Sequence, residues 1–282
     1  MHVPALSSNL AAMLHRMDVV MARFPWTQMI VFSELAQCGP VPNAPVSLPG
    51  PEEVTLQAAA ARYGIWLIPG SVFERGADGK LYNTASVIDP AGTVVKRYRK
   101  MFPFRPLEEG VQAGDQFFSW DIEGVGKFGI LNCYDIWFPA HTRHLAWGGA
   151  EPVLHLFQTA PSDREQELAI VRGNAIMNQV WIASLNAAAP TGRGRSLVVD
   201  PDGAVHASSP DASSEVLTAV VDLGQVAEVR EFGTAGVSRP RAQFREGDPA
   251  IPLPLYSGSI TPSTWEPGSP GVSAPESTET RA

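Results

Sequence analysis

Short apolar runs of strand length alternate with helix-length segments along most of this chain, which narrows the fold to layered α/β architectures. Leu10, Met13, Leu14, Met17, Val20 and Met21 fall at helical spacing, so 9–24 reads as an amphipathic helix. A buried strand over 29–32, a helix over 51–63 and a strand over 65–68 follow. The segments 81–88 and 93–98 flank Asp89-Pro-Ala-Gly92 as the arms of a hairpin. Further on, 127–132, 153–157 and 180–186 read as strands, with helices over 142–147 and 164–177 between them. A second Asp-Pro-x-Gly turn, Asp200-Pro-Asp-Gly203, pairs 196–199 with 204–207, and 216–221 reads as the last strand. From about Pro249 the chain turns to Pro, Ser, Gly and Thr. The expected division is therefore a body over 1–248 and a tail over 249–282, disordered or lying as an arm on another subunit.

Charge and cysteine content limit the partners. With 21 basic against 29 acidic residues the net charge is −8, and no Lys/Arg run offsets it, which argues against nucleic acid or an anionic membrane surface. No window reaches the apolar length of a membrane span, and the first residues lack the pattern of a secretory signal. Two cysteines, Cys38 and Cys133, are too few for a disulfide framework, so a reducing cytoplasm is the expected setting. Nothing near Cys38 marks it as reactive.

Chemistry concentrates at strand ends. In Phe128-Gly-Ile-Leu-Asn-Cys133-Tyr-Asp-Ile-Trp-Phe-Pro139 an apolar run stops at a cysteine, and a proline then opens a helical segment. A thiol at such a corner lies near a helix N-terminus, whose partial positive charge favours the nucleophilic thiolate. Glu34 ends the strand at 29–32, and Lys100 follows the strand at 93–98. Taken singly, Glu34 reads equally well as a cap and Lys100 as part of a solvated basic run. Together with Cys133 they fall at the same end of a sheet. None of the six histidines ends a strand, and His141 and His144 read as helix-surface or core residues. Cys133 has no second thiol or paired ligand at zinc spacing, so no metal is expected. Gly124-Val-Gly126-Lys-Phe-Gly129 matches a dinucleotide-binding pattern but precedes a strand, and reads as a turn.

Three motifs in this order, Ile30-Val-Phe-Ser-Glu34-Leu, Tyr98-Arg-Lys100-Met-Phe-Pro103 and Gly129-Ile-Leu-Asn-Cys133-Tyr-Asp-Ile-Trp-Phe-Pro139, make the chain resemble the nitrilase superfamily of carbon–nitrogen hydrolases, in its amidase-like and carbamoylase-like branches. The resemblance spans about residues 9 to 235. It implies a four-layer α-β-β-α sandwich that assembles as a homodimer or larger homo-oligomer. It implies Cys133 as nucleophile, Glu34 as general base, Lys100 as oxyanion-stabilising cation and the Tyr134 N–H as a second oxyanion donor. A second glutamate falls on Glu108 or Glu109, the spacing leaving both open. Trp137 is expected at the substrate pocket, together with Phe102, Phe104 and Phe138. The implied reaction is hydrolysis of a small-molecule amide without cofactor or metal. A nitrile or a ureido substrate is the alternative, and a catalytically silent binding module is disfavoured by the intact trio. The resemblance departs at Ala140, where a glutamate is common, and at the start: a fold of this type opens with a strand, for which only a short one at Val3–Leu6 is available here.

Overall fold

The computed structural model describes residues 8–40, 44–159, 163–253 and 258–260. Its elements run α1 (Leu10–Arg23), β1 (Met29–Val31), α2 (Pro51–Tyr63), β2 (Trp66–Ile68), β3 (Ser71–Arg75), β4 (Leu81–Ile88) and β5 (Val94–Arg99). Then come β6 (Ser119–Ile122), β7 (Gly126–Asn132), α3 (Pro139–Trp147), β8 (Pro152–Phe157), α4 (Arg164–Asn178) and β9 (Trp181–Asn186). The last are β10 (Leu197–Val199), β11 (Val205–Ser208), α5 (Leu223–Phe232), β12 (Ile251–Leu253) and β13 (Gly258–Ile260).

Two sheets form. In the first, β1 pairs parallel to β2, while β2 and β3 lie along one side of β4 and β5 along the other. The second has the order β11-β10-β9-β8-β7-β6, with β7, β8 and β9 parallel. Parallel neighbours need crossovers, and α3 and α4 supply them.

The alternation of side chains along the strands separates the layers. Met29 and Val31 join Ile68, Ile130, Leu154 and Leu156 in a cluster between the sheets, whereas Ile30 and Phe32 join Met13, Met17, Leu56 and Leu67 under α1 and α2. In the second sheet Leu131 and Val153 face the opposite way, packing with Leu145, Val171 and Ala175 beneath α3 and α4. The result is the expected α-β-β-α order. Met17, Leu56, Leu67 and Ile130 are wholly buried, and each such side chain contributes roughly 1.5–3 kcal/mol. The helix ends follow local rules: Pro51 opens α2, acidic Glu52 and Glu53 sit in its first turn, and Gly64 closes it in a left-handed conformation.

Several elements differ from the sequence reading. β3, β6 and α5 are additional, and α3 starts at Pro139 rather than residue 142. The segment 216–221 is not a strand. Leu217 and Ala219 do pack inward on Trp181, Val198 and Val226, but the main chain of 216–221 makes no recorded ladder bond, and Val220 is exposed. With Met29, Val31 and Trp66 it lines an open groove of about 590 Å³, and its strand pattern meets no pairing edge among the described residues. In the tail, Ile251–Leu253 pairs antiparallel with Gly258–Ile260, while 254–257 and 261–282 lie outside the described residues. So does the strand considered at Val3–Leu6. The Gly124–Gly129 motif forms the turn and first residues of the β6–β7 hairpin, as its position before a strand predicts. Among the described residues no helix is long and apolar enough to cross a membrane.

Candidate active site

Glu34, Lys100 and Cys133 meet, but they follow strands of two sheets rather than lying at one end of a single sheet as expected. Glu34 follows β1 and Lys100 follows β5, both in the first sheet, whereas Cys133 follows β7 in the second. The site is therefore built across the sandwich, and face-to-face sheet packing rather than strand pairing brings its parts together.

Each residue is placed by its local backbone. Beyond β1 the chain turns sharply, with Leu35 at φ 51° and its N–H donating to the Ser71 hydroxyl at 3.1 Å. This turn rests on Gly70 (φ 84°), where a Cβ would overlap the Ser33 carbonyl oxygen. The Lys100 N–H donates to the Asn83 carbonyl at 2.8 Å, continuing the β4–β5 ladder past its end. Cys133 opens a short 3-10 turn, Cys133–Trp137, at φ 54°, a left-handed conformation that non-glycine residues hold only under surrounding constraint. His155 on β8 supplies part of that constraint. Its Nε2–H donates to the Cys133 carbonyl at 2.9 Å, so its Nδ1 accepts from the Ser184 hydroxyl at 3.0 Å. Burial pushes His155 down to about 3, which keeps it in this neutral tautomer. Asp135 fixes the other side of the turn, accepting from Asn132 N–H (2.9 Å), Phe102 N–H (2.9 Å) and Tyr98 O–H (2.6 Å).

The charged centre is dry. Lys100, Glu34 and Glu108 have 1%, 3% and 6% of their surface exposed. The Lys100 ammonium donates to Glu34 Oε1 at 3.0 Å and to Glu108 Oε2 at 2.7 Å. Glu108 also accepts the Phe104 N–H at 2.6 Å, while Glu109 is exposed, so the geometry brings in Glu108. The Cys133 thiol lies within electrostatic reach of Glu34, Lys100 and Glu108. Burial raises Glu34 above its ordinary range, and Lys100 only partly counters it. Burial alone would depress Lys100, but Cys133, Glu34 and Glu108 outweigh it and hold the ammonium protonated. Cys133 is pushed well up, first by burial and then by Glu34. A 3-10 turn and a dry carboxylate-rich setting stand where a helix terminus would favour the thiolate, and both work against it. Glu34, raised by burial, is the carboxylate whose charge acts most strongly on this thiol.

Around this centre Phe102 stacks on Phe138 with ring centroids 3.6 Å apart, and Phe104 and Tyr134 meet edge to face at 5.2 Å. Trp137 packs instead against the cluster beneath α3 and α4, touching Tyr134 at its edge of that cluster. His141 is core, ringed by Tyr98, Phe102 and Phe117 and pushed down by burial to about 3. Sequence reasoning did not single out Asn83, Asp135, Tyr98 or His155. Asn83 and His155 sit inside strands, where polar residues in buried positions were the only available signal. No group of three or more His, Cys, Asp or Glu side chains among the described residues is arranged to hold a metal ion.

Comparison with known proteins supplies the relationship. The chain matches the carbon–nitrogen hydrolase family over residues 5–231. It is 32% identical over 183 residues to the 2-oxoglutaramate amidase of Bacillus subtilis (strain 168), covering 62% of this chain and 69% of that protein. It is also 32% identical over 206 residues to an omega-amidase of Xenopus laevis, covering 67% of this chain and 73% of the relative. In fold it is similar to Nit3 of Saccharomyces cerevisiae, a member of branch 10 of the nitrilase superfamily, with a TM-score of 0.72 at 24% identity over 80% of this chain and 90% of that one. With the family's sequence pattern spanning most of the body and the two-sheet sandwich in place beneath it, the chain belongs to the carbon–nitrogen hydrolase family.

Proposed function

We propose that this protein hydrolyses a linear amide to a carboxylic acid and ammonia through a thioester on Cys133. The observation that carries the reading is the buried Lys100 ammonium bridging Glu34 and Glu108, with the buried Cys133 thiol in the same charged centre. Glu34 takes the thiol proton as sulfur bonds to the amide carbon. The oxyanion forms against the Lys100 ammonium and the Tyr134 N–H, which lies in the first turn of its 3-10 segment, where backbone donors have no intrahelical partner. The C–N bond breaks as Glu34 returns its proton to nitrogen, and ammonia leaves. Water then attacks the thioester with Glu34 again as base, the S–C bond breaks, and the thiol recovers its proton. Glu108 holds the ammonium between two carboxylates and anchors the Phe104 main chain.

The amidase names of the Bacillus and Xenopus relatives support an amide over the nitrile and ureido alternatives. Free Cys38 and Cys133 suit a reducing, cytoplasmic setting. Ile176 and Met177, 46% and 51% exposed on α4, suit assembly of two copies through helical faces. The test incubates one acyl group as amide, nitrile and ureide, follows ammonia release, and looks by intact mass for an adduct on Cys133. Amide turnover that disappears in Cys133→Ala is expected. Faster nitrile turnover, or undiminished activity in Cys133→Ala, overturns the reading.

A further inference from the structure

One residue that the mechanism above does not use touches every part of the charged centre. Asn83 lies on β4, between β3 and β5, and is wholly buried. Its Nδ2 donates one hydrogen to Glu34 Oε1 at 2.9 Å and the other to Glu108 Oε1 at 2.7 Å. Its Oδ1 accepts from Asn132 Nδ2 at 2.9 Å, on the residue just before Cys133. Its carbonyl accepts the Lys100 N–H at 2.8 Å. The amide can sit only one way round, because the flipped form would press Oδ1 against two carboxylates and present Nδ2 to another donor.

We propose that Asn83 is a positioning residue for the general base: its amide clamps Oε1 of Glu34, leaves Oε2 for the thiol, and ties both carboxylates to Asn132, the last residue of the strand that leads into Cys133. Glu34 Oε1 takes two N–H donors, one from Lys100 and one from Asn83, which leaves Oε2 as the oxygen free to accept the thiol proton. A lysine alone cannot fix that choice, since an ammonium is a point charge that a carboxylate can meet through either oxygen. The planar amide, held at its far end by Asn132 on the opposite sheet, fixes the direction. The N–H on Glu34 also favours its ionised form, keeping a base available in a setting whose dryness works the other way.

The inference rests on Glu34 acting as the base, and its test separates the two. The charged or titratable groups that face Glu34 are Lys100, Glu108 and Cys133, all retained in the variants. Asn83→Ala is compared with wild type in kcat, KM and the pH dependence of kcat/KM, and in the rate of Cys133 alkylation by iodoacetamide against pH. Removing a hydrogen bond to a charged group predicts a fall in kcat of roughly 10- to 100-fold, with KM within about threefold. The acid limb of kcat/KM and the onset of alkylation both move up by about one pH unit, because Glu34 now holds its proton more tightly. Asn83→Ser, which keeps a single hydroxyl donor, falls between and carries the same comparison should the alanine variant not fold. A variant that loses activity or thermal stability while both pH profiles stay in place makes Asn83 a packing residue and overturns the proposal, as does unchanged kcat. Should wild type turn over no amide, the amidase reading fails; the alkylation profile still decides whether Asn83 sets the proton affinity of Glu34.

Discussion

Replacing Lys100 by methionine probes the electrostatics of the site through folding. The side chain is 1% exposed and bridges carboxylates that are 3% and 8% exposed. Methionine fills a similar volume, so packing changes little. What changes is that two buried carboxylates face each other with no cation. Breaking a buried pair by removing one partner costs about 3–5 kcal/mol when the remaining charge stays ionised. The folded site can avoid that cost by keeping a proton. Glu34 is already raised above 4.5 in the wild type, and loss of Lys100, a charge that lowers it, raises it further. A carboxylate raised in the folded state contributes stability fully below its unfolded value and loses it as pH climbs through the folded one. While the native protein holds one proton that the unfolded chain does not, stability falls by about 1.4 kcal/mol per pH unit. From about pH 5 to pH 8 the loss grows toward the roughly 3–5 kcal/mol expected of the unpaired charge. Urea denaturation of Lys100→Met and wild type at both ends of this range, compared at constant slope, measures the difference. We expect near-equal midpoints at the acid end and a deficit of about 3–4 kcal/mol at the alkaline end. The same deficit at both ends, or none, would refute a dry ion cluster centred on Lys100. Activity should fall by about 10²–10³ or more, as for loss of an oxyanion donor.

Cys133→Ala should abolish turnover and mass-detected adducts while moving the urea midpoint by an amount equivalent to about 1 kcal/mol or less, since a small thiol contributes little packing. Glu108→Gln should lose at least about 10²-fold in kcat, comparable to a misplaced catalytic group, whereas Glu109→Gln, exposed, should match wild type in the same ammonia assay. His155→Leu leaves the Cys133 carbonyl without its buried donor and should cost about 1–3 kcal/mol by denaturation. A histidine depressed to about 3 stabilises fully above its unfolded value of 6.5 and loses that contribution as pH falls, so the variant should also show a flatter acid side of its stability curve. Gly70→Ala forces a Cβ into the Ser33 carbonyl and should lower kcat by displacing Glu34, with wild-type alkylation of Cys133 at its usual pH counting against the reasoning.

The sequence by itself determined the layers and marked the candidate groups of the site, because both are written locally. Ile30 and Phe32 against Met29 and Val31 is an alternation of period two, and it alone assigns each side chain to a helix-covered or sheet-covered face. Cys133 and Glu34 are polar groups at the ends of apolar runs, and the two Asp-Pro-x-Gly turns mark their own hairpins. The short strands β3 and β6 escaped because Ser71–Arg75 and Ser119–Ile122 carry too little apolar pattern and owe their conformation to the neighbours β4 and β7. The segment 216–221 shows the converse, a strand pattern without a pairing edge. Only the tertiary structure decided that the site spans two sheets, that Glu108 rather than Glu109 meets Lys100, and that burial works against the Cys133 thiolate. Those outcomes depend on burial and on hydrogen bonds such as Asn83 to Glu34 and Asn132 to Asn83, each linking residues 49 positions apart. Dehydration of a charge and contacts of that range are properties of the packed sandwich, and no local window of residues contains them.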